Sequence, residues 1–111
     1  MSKSETCRGC ALFQCPGPVD GEFTGKIVDI LFCGEALGAV EVVQKRPMVG
    51  EAGQVLRRTI KEMSYQSFGI TNVARCRPPG NEFPGIESIG KYCRENLLLD
   101  LQRCCEKYLG S

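Results

Sequence analysis

Eight cysteines and no histidine in 111 residues constrain this chain more than any other feature. Without an imidazole, histidine catalysis and any histidine-ligated metal site within the chain are excluded. Cysteine is left to carry the chemistry. The opening residues, Met1-Ser2-Lys3-Ser4-Glu5, lack the apolar core of a secretory signal. That predicts a cytoplasmic, reducing compartment in which disulfides do not persist. Thiols in such numbers there point to metal before disulfide.

The length bounds the architecture, because a chain of this size supports one small domain, taken here as 1–111, and not a two-domain enzyme. With 42% hydrophobic and 24% charged residues the composition is that of a globular protein. No apolar run approaches the roughly 20 residues of a membrane span, so no membrane partner is expected. Lysine plus arginine (14) nearly cancels aspartate plus glutamate (13). Any affinity for nucleic acid must therefore come from local clusters of charge and not from bulk attraction.

From Met1 to Lys26 the chain is rich in Cys, Gly and Pro and shows no apolar period, which predicts a pinned loop. Ile27 to Cys33 is a short, almost continuous apolar run between Gly25 and Gly34, the pattern of a strand buried on both faces of a parallel sheet. Gly34-Glu35-Ala36-Leu37-Gly38 follows at its C-terminal end, where open α/β sheets place their ligands. Residues 39–50 read as a loop. From Ala52 to Met63, Val55, Leu56, Ile60 and Met63 fall at helical spacing, with Arg57, Arg58 and Lys61 on the expected solvated side. Phe68 to Ala74 reads as a second strand, ending in Arg75-Cys76-Arg77-Pro78-Pro79-Gly80-Asn81, whose prolines and glycine break regular structure. Beyond Pro84, Ile89, Tyr92, Cys93, Leu97, Leu101, Cys104 and Tyr108 recur every three or four residues up to Gly110, a C-cap candidate. The order predicts half of a doubly wound α/β domain.

Cys7-x2-Cys10 lets two thiolates reach one centre from a tight turn, and Cys76 and Cys93 could supply a second pair. Spacing alone leaves an iron–sulfur cluster, structural zinc and unmetallated thiols open. Cys33, Cys104 and Cys105 read as small buried hydrophobes, and Cys15 as a substitute ligand.

Together these residues resemble the family 4 uracil-DNA glycosylases, the iron–sulfur branch of their superfamily. The family's N-terminal C-x2-C is matched by Cys7 and Cys10, and its GEAPG motif by Gly34-Glu35-Ala36-Leu37-Gly38. Its RPFVG-x-AG stretch is matched by Arg46-Pro47-Met48-Val49-Gly50-Glu51-Ala52-Gly53, and its ITN-x2-KCRPPGN segment by residues 70–81, with Cys93 as the later cysteine. The resemblance covers nearly the whole chain. It implies an incomplete three-layer α/β/α domain with a parallel sheet and a loop region carrying a [4Fe-4S] cluster on Cys7, Cys10, Cys76 and Cys93. Zinc is the runner-up.

The resemblance further implies that Asn72 reads uracil, because an amide can both donate to and accept from the edge of a flipped base. Met48 and Ala36 would line the same base site. Glu35 would lie beside the attacking water in a hydrolysis of the N-glycosidic bond. Arg75, Arg77, Lys45 and Arg46 are the candidates for a phosphate-binding rim. Each has a plainer reading: Glu35 as an exposed carboxylate, Asn72 as a turn residue, the basic residues as solvated surface.

The implied partner is DNA, uracil-containing or single-stranded, with a nucleoid location as an alternative to free cytoplasm. Three departures accompany the match. The histidine motif of the family's second half is absent, Met48 stands where the family has a stacking phenylalanine, and Leu37 replaces a proline. They suggest a truncated domain whose bare sheet edge calls for a protein partner. The alternative function is then a non-catalytic iron–sulfur accessory subunit of a replication or transcription complex.

Overall fold

The computed structural model describes residues 7–109. Three strands form one small sheet: β1 (Glu22–Phe23), β2 (Ile30–Gly34) and β3 (Phe68–Asn72), in the order β1-β3-β2. β2 runs parallel to β3, with Ile30 opposite Phe68 and Gly34 opposite Asn72. β1 is antiparallel to β3. The sheet is therefore mixed, and the all-parallel expectation is corrected by a two-residue strand inside the segment read as loop. So short a strand leaves no periodicity to read.

Strand alternation sorts the residues of β3 onto two faces. Thr71 faces α3 (Lys91–Leu109), where its hydroxyl donates to Asp100 at 2.7 Å. α3 packs on both β2 and β3. Its backbone also holds the entry to β2, as Val28 N–H donates to the Arg103 carbonyl at 3.0 Å. The Arg103 guanidinium lies 4.2 Å from the centre of the Phe23 ring. Asn72 and Gly34 point to the opposite face. There they meet Met48, on the loop between α1 (Ala39–Gln44) and α2 (Glu51–Glu62). α3 covers one face and the Met48 loop joining α1 to α2 meets the other, in the incomplete three-layer α/β/α arrangement.

Several local expectations change. Residues 39–44 form a helical turn and a half in place of a loop, because Glu41 organises them from within. β2 begins three residues later than expected and is only half-buried, with Cys33 exposed. It is an edge strand, paired among the described residues with β3 alone. In α2, Ile60 is buried as expected, whereas Val55 and Met63 are exposed and the buried contact near the start is Gly53. Cys104 is half-buried, its thiol 3.6 Å from the Asp29 carbonyl. The side chains of Cys105 and Tyr108, and Gly110, lie outside the described residues. No helix among the described residues is long and apolar enough to cross a membrane.

Candidate functional site

β2 and β3 end side by side, and the parallel pairing continues past their ends. Val73 N–H donates to the Gly34 carbonyl at 2.9 Å, and Ala74 N–H to the Glu35 carbonyl at 2.8 Å. Those two bonds pin the Gly34–Gly38 loop over the strand carrying Asn72. A cavity of about 490 Å³ opens at this point, and among its lining residues are Glu35, Ala36, Met48 and Asn72. Four expected site residues from three separate sequence segments thus share one cavity.

Close approach sets the floor. A Cβ at Gly34 would lie 2.5 Å from Asn72 Oδ1 and 2.6 Å from Met48 Cε, so any side chain there would displace the tips of both. Met48 has a φ of 49°, a left-handed conformation uncommon for a residue with a side chain. Arg57 holds it there. Its Nε donates to the Met48 carbonyl at 2.8 Å and its Nη2 to the Pro47 carbonyl at 2.6 Å, while Nη1 pairs with Glu22 at 2.8 Å. Arg57 was expected on a solvated face; backbone carbonyls that need donors draw it inward instead. Gly53 completes the seat, since a Cβ there would collide with the Met48 backbone.

Glu41 is the organising residue that sequence reasoning missed. Its Oε2 accepts from Gly50 N–H at 2.6 Å and Val49 N–H at 2.9 Å, and its Oε1 from Gly38 N–H at 3.2 Å. Burial on its own would raise this carboxyl, but the backbone hydrogen bonds outweigh it and hold the group below the usual carboxylate range. One side chain thereby ties the loop after β2 to the loop before α2. The available signal was its place three residues beyond Gly38, where a first-turn glutamate reaches back to the cap. Asn81 and Phe83 also line the cavity and were missed. Asn81 closes the matched RPPGN segment, whereas Phe83 had no signal beyond closeness to the Pro78-Pro79-Gly80 turn.

The four basic candidates separate. Arg46 makes a two-pronged ion pair with Glu22, Nε to Oε1 at 2.8 Å and Nη2 to Oε2 at 3.0 Å. Arg46 is the chief reason the Glu22 carboxyl falls to about 2, with burial opposing and Arg57 assisting. Lys45 is exposed, and Arg77 is half-buried with its Nε donating to Asn81 Oδ1 at 3.0 Å. Arg75, expected at a phosphate-binding rim, is instead only 1% exposed. Its guanidinium bonds to Asp100 and Thr71 inside the domain and to Asp20 at 3.2 Å. Tyr92 donates to the same Asp20 at 2.8 Å. A carboxylate on α3 facing β3 explains the inward turn of Arg75, and nothing in the local sequence of residues 75–77 announces it.

Four of the eight cysteines meet at one apolar cluster, against which Ala36 and Phe83 of the cavity also pack. Cys76 and Cys93 share a buried cluster with Leu12, Ala74 and Ile89, and Cys10 and Cys15 pack against it. Cys7 is buried as well. Leu12 N–H points to Cys10 Sγ at 3.4 Å and Arg75 N–H to Cys93 Sγ at 3.5 Å. Burial pushes the Cys93 thiol up, the Arg75 N–H opposes it, and the neighbouring Cys10 and Cys7 add to the rise. As placed, no three metal-ligating groups among the described residues are grouped to hold a metal ion.

Comparison with known proteins places this arrangement. The pattern of the uracil DNA glycosylase superfamily matches residues 23–109. The type-4 uracil-DNA glycosylase of Saccharolobus solfataricus is 39% identical over 87 residues, which cover 75% of this chain and 40% of that protein. That of Sulfurisphaera tokodaii is 41% identical over 88 residues, covering 76% and 40%. That of Archaeoglobus fulgidus is 32% identical over 99 residues, covering 87% and 49%. The chain thus spans less than half the length of these curated relatives. The family pattern extends over both loops that form the cavity, over Cys76 and over α3, and the chain belongs to the uracil DNA glycosylase superfamily.

Proposed function

We infer that this chain is a uracil-DNA glycosylase-like protein that takes a flipped uracil from DNA into the cavity at the ends of β2 and β3. The observation that carries this is the meeting of Glu35, Ala36, Met48 and Asn72, from three sequence segments, around one space. Asn72, anchored by the register of β3, can donate its amide N–H to a uracil carbonyl and accept the uracil N3–H. Glu35 stands on the cavity rim, where a carboxylate can orient a water toward the sugar carbon as the N-glycosidic bond breaks. Donors fixed before reaction begins stabilise the departing uracil anion without reorganisation. Glu41 acts one step back, by holding the two loops in place.

A [4Fe-4S] cluster on Cys7, Cys10, Cys76 and Cys93 belongs to this reading. Support comes from the chemistry of the donors: sulfurs in an apolar setting, two of them with backbone N–H groups directed at them. A cluster interposes its irons and so takes cysteine sulfurs further apart than a single zinc ion does. When bound, the group would supply rigidity, joining the N-terminal loop, the end of β3 and α3. Cys15, packed against the same core, is the reserve ligand.

A second reading has its own observation. β2 is an apolar edge strand, and Leu98 and Leu99 of α3 are each 57% exposed. An uncovered parallel edge and an apolar helix face favour a protein partner, and with it a non-catalytic accessory role in a cytoplasmic or nucleoid complex. Single-turnover excision on uracil-containing single- and double-stranded DNA, with anaerobically prepared protein, decides between the two. Excision that disappears in Asn72→Ala supports the enzyme. Absence of excision by pure protein with an intact cluster removes the enzymatic reading and leaves the accessory one.

A further inference from the structure

We propose that Phe83 supplies the flat face on which a base stacks in this cavity, and so acts as the specificity-determining residue that favours a planar ring there. The proposal rests on the base-binding function inferred above.

Met48 reaches the cavity floor with an unbranched thioether, which adapts to shape but offers no planar surface. Phe83 is the aromatic residue among the described residues lining the same cavity. It arrives from a different segment, the one following Cys76, and its position is tightly constrained. Asn81 N–H donates to the Pro78 carbonyl at 3.1 Å and Glu82 N–H to the Pro79 carbonyl at 3.2 Å, closing two consecutive turns just before it. The Arg77 side chain braces Asn81 at 3.0 Å. Pro84 follows directly and restricts the Phe83 backbone to extended conformations.

The ring itself packs against the buried core of Leu12, Ala74, Cys76, Ile89 and Cys93, yet remains half-buried. A residue serving the core alone has no need to border a cavity. A ring held by the core and open to the cavity is ready to stack before any base arrives, which lowers the ordering cost of binding. Stacking on Phe83 and edge recognition by Asn72 would together distinguish a pyrimidine ring from a bare sugar.

The test uses the full chain with its metal content intact and a fluorescein-labelled single-stranded oligonucleotide bearing one 2′-fluoro-2′-deoxyuridine, which resists hydrolysis. Base–aromatic stacking predicts that Phe83→Leu weakens binding by about 5- to 150-fold, and Phe83→Trp retains it. The chain has no tryptophan, so the introduced indole is a single reporter. Its emission should be quenched by the uracil oligonucleotide and not by one with an abasic analogue at that position. Wild-type affinity in Phe83→Leu, with weakened binding in Asn72→Ala, overturns the role of Phe83 and leaves the pocket reading standing. Wild-type affinity in both variants, or equal binding of the uracil and abasic oligonucleotides by the native chain, overturns the pocket reading and this proposal with it. Should Phe83→Leu fail to fold, the Phe83→Trp emission decides: equal quenching by the two oligonucleotides refutes stacking.

Discussion

Replacing Glu41 by glutamine tests the view that one carboxylate holds the two pocket loops together. In the native chain Oε2 takes the Gly50 and Val49 N–H groups at 2.6 and 2.9 Å, and Oε1 takes the Gly38 N–H at 3.2 Å. Glutamine keeps one oxygen, so at best the two shorter bonds survive with a neutral acceptor. The third turns into an amide N–H facing another N–H. A hydrogen bond to a charged group contributes about 1.5–3 kcal/mol. Losing one and weakening two, with water replacing part of the loss at this half-buried site, should cost about 2–3 kcal/mol. For a domain near 100 residues that is a fall in Tm of roughly 8 to 24 °C.

The pH dependence carries the sign. Hydrogen bonds hold the folded Glu41 carboxyl below its usual value of 4.5. Its contribution is therefore complete above the unfolded pKa and is lost as pH falls through the folded one. The stability gap between Glu41→Gln and the native chain should be full at pH 7 and should shrink below about pH 4. The assays are thermal unfolding at pH 7 and urea unfolding across pH 3–7, both followed by circular dichroism, with the Val49 and Gly50 amide resonances read alongside. A Tm within about 2 °C of the native value, with both amides unshifted, would refute the clasp.

Other expectations are as concrete. Arg75→Met leaves Asp100 buried with Thr71 alone, and breaking such a pair costs about 3–5 kcal/mol; urea midpoints should fall sharply, and Asp100→Asn in the same chain should recover part of the loss. Gly53→Ala drives a Cβ into the Met48 backbone; a loss of about 1–3 kcal/mol should appear in thermal unfolding together with weaker uracil binding, and unchanged values in both would contradict the seat described for Met48. Protein purified without oxygen should be brown, and Cys76→Ala should lose colour and fold together; colourless protein with stoichiometric zinc overturns the cluster.

The segments that border the pocket could be found in the sequence because they carry the motifs of the family resemblance, and their meeting could be read from the two strands they end. Gly34 and Glu35 follow an apolar strand, and Asn72 closes another, so parallel pairing alone brings them together. Glu41, Arg57 and Arg75 were not legible in this way. Each is a charged residue whose role depends on a partner distant in sequence: Val49 and Gly50 for Glu41, the Met48 and Pro47 carbonyls for Arg57, Asp100 for Arg75. A charged side chain on a helix or loop reads as solvated until the backbone groups or countercharges folded against it are known. Phe83 was overlooked for the same reason, since one aromatic in an irregular segment has no period to mark its face.

The sequence by itself determined the chemistry available, thiols without imidazole, and the strand–loop units that end at Gly34 and Asn72, because apolar periodicity and glycine placement act over a few residues. It also carried the motifs by which family membership is recognised. Only the tertiary structure decided which charges are buried and which are free, turning Arg75 inward and locking Arg46 to Glu22. It also left Cys33 on an exposed edge. Those outcomes depend on contacts across tens of residues, where desolvation and pairing compete and the winner is set by what the fold brings within reach.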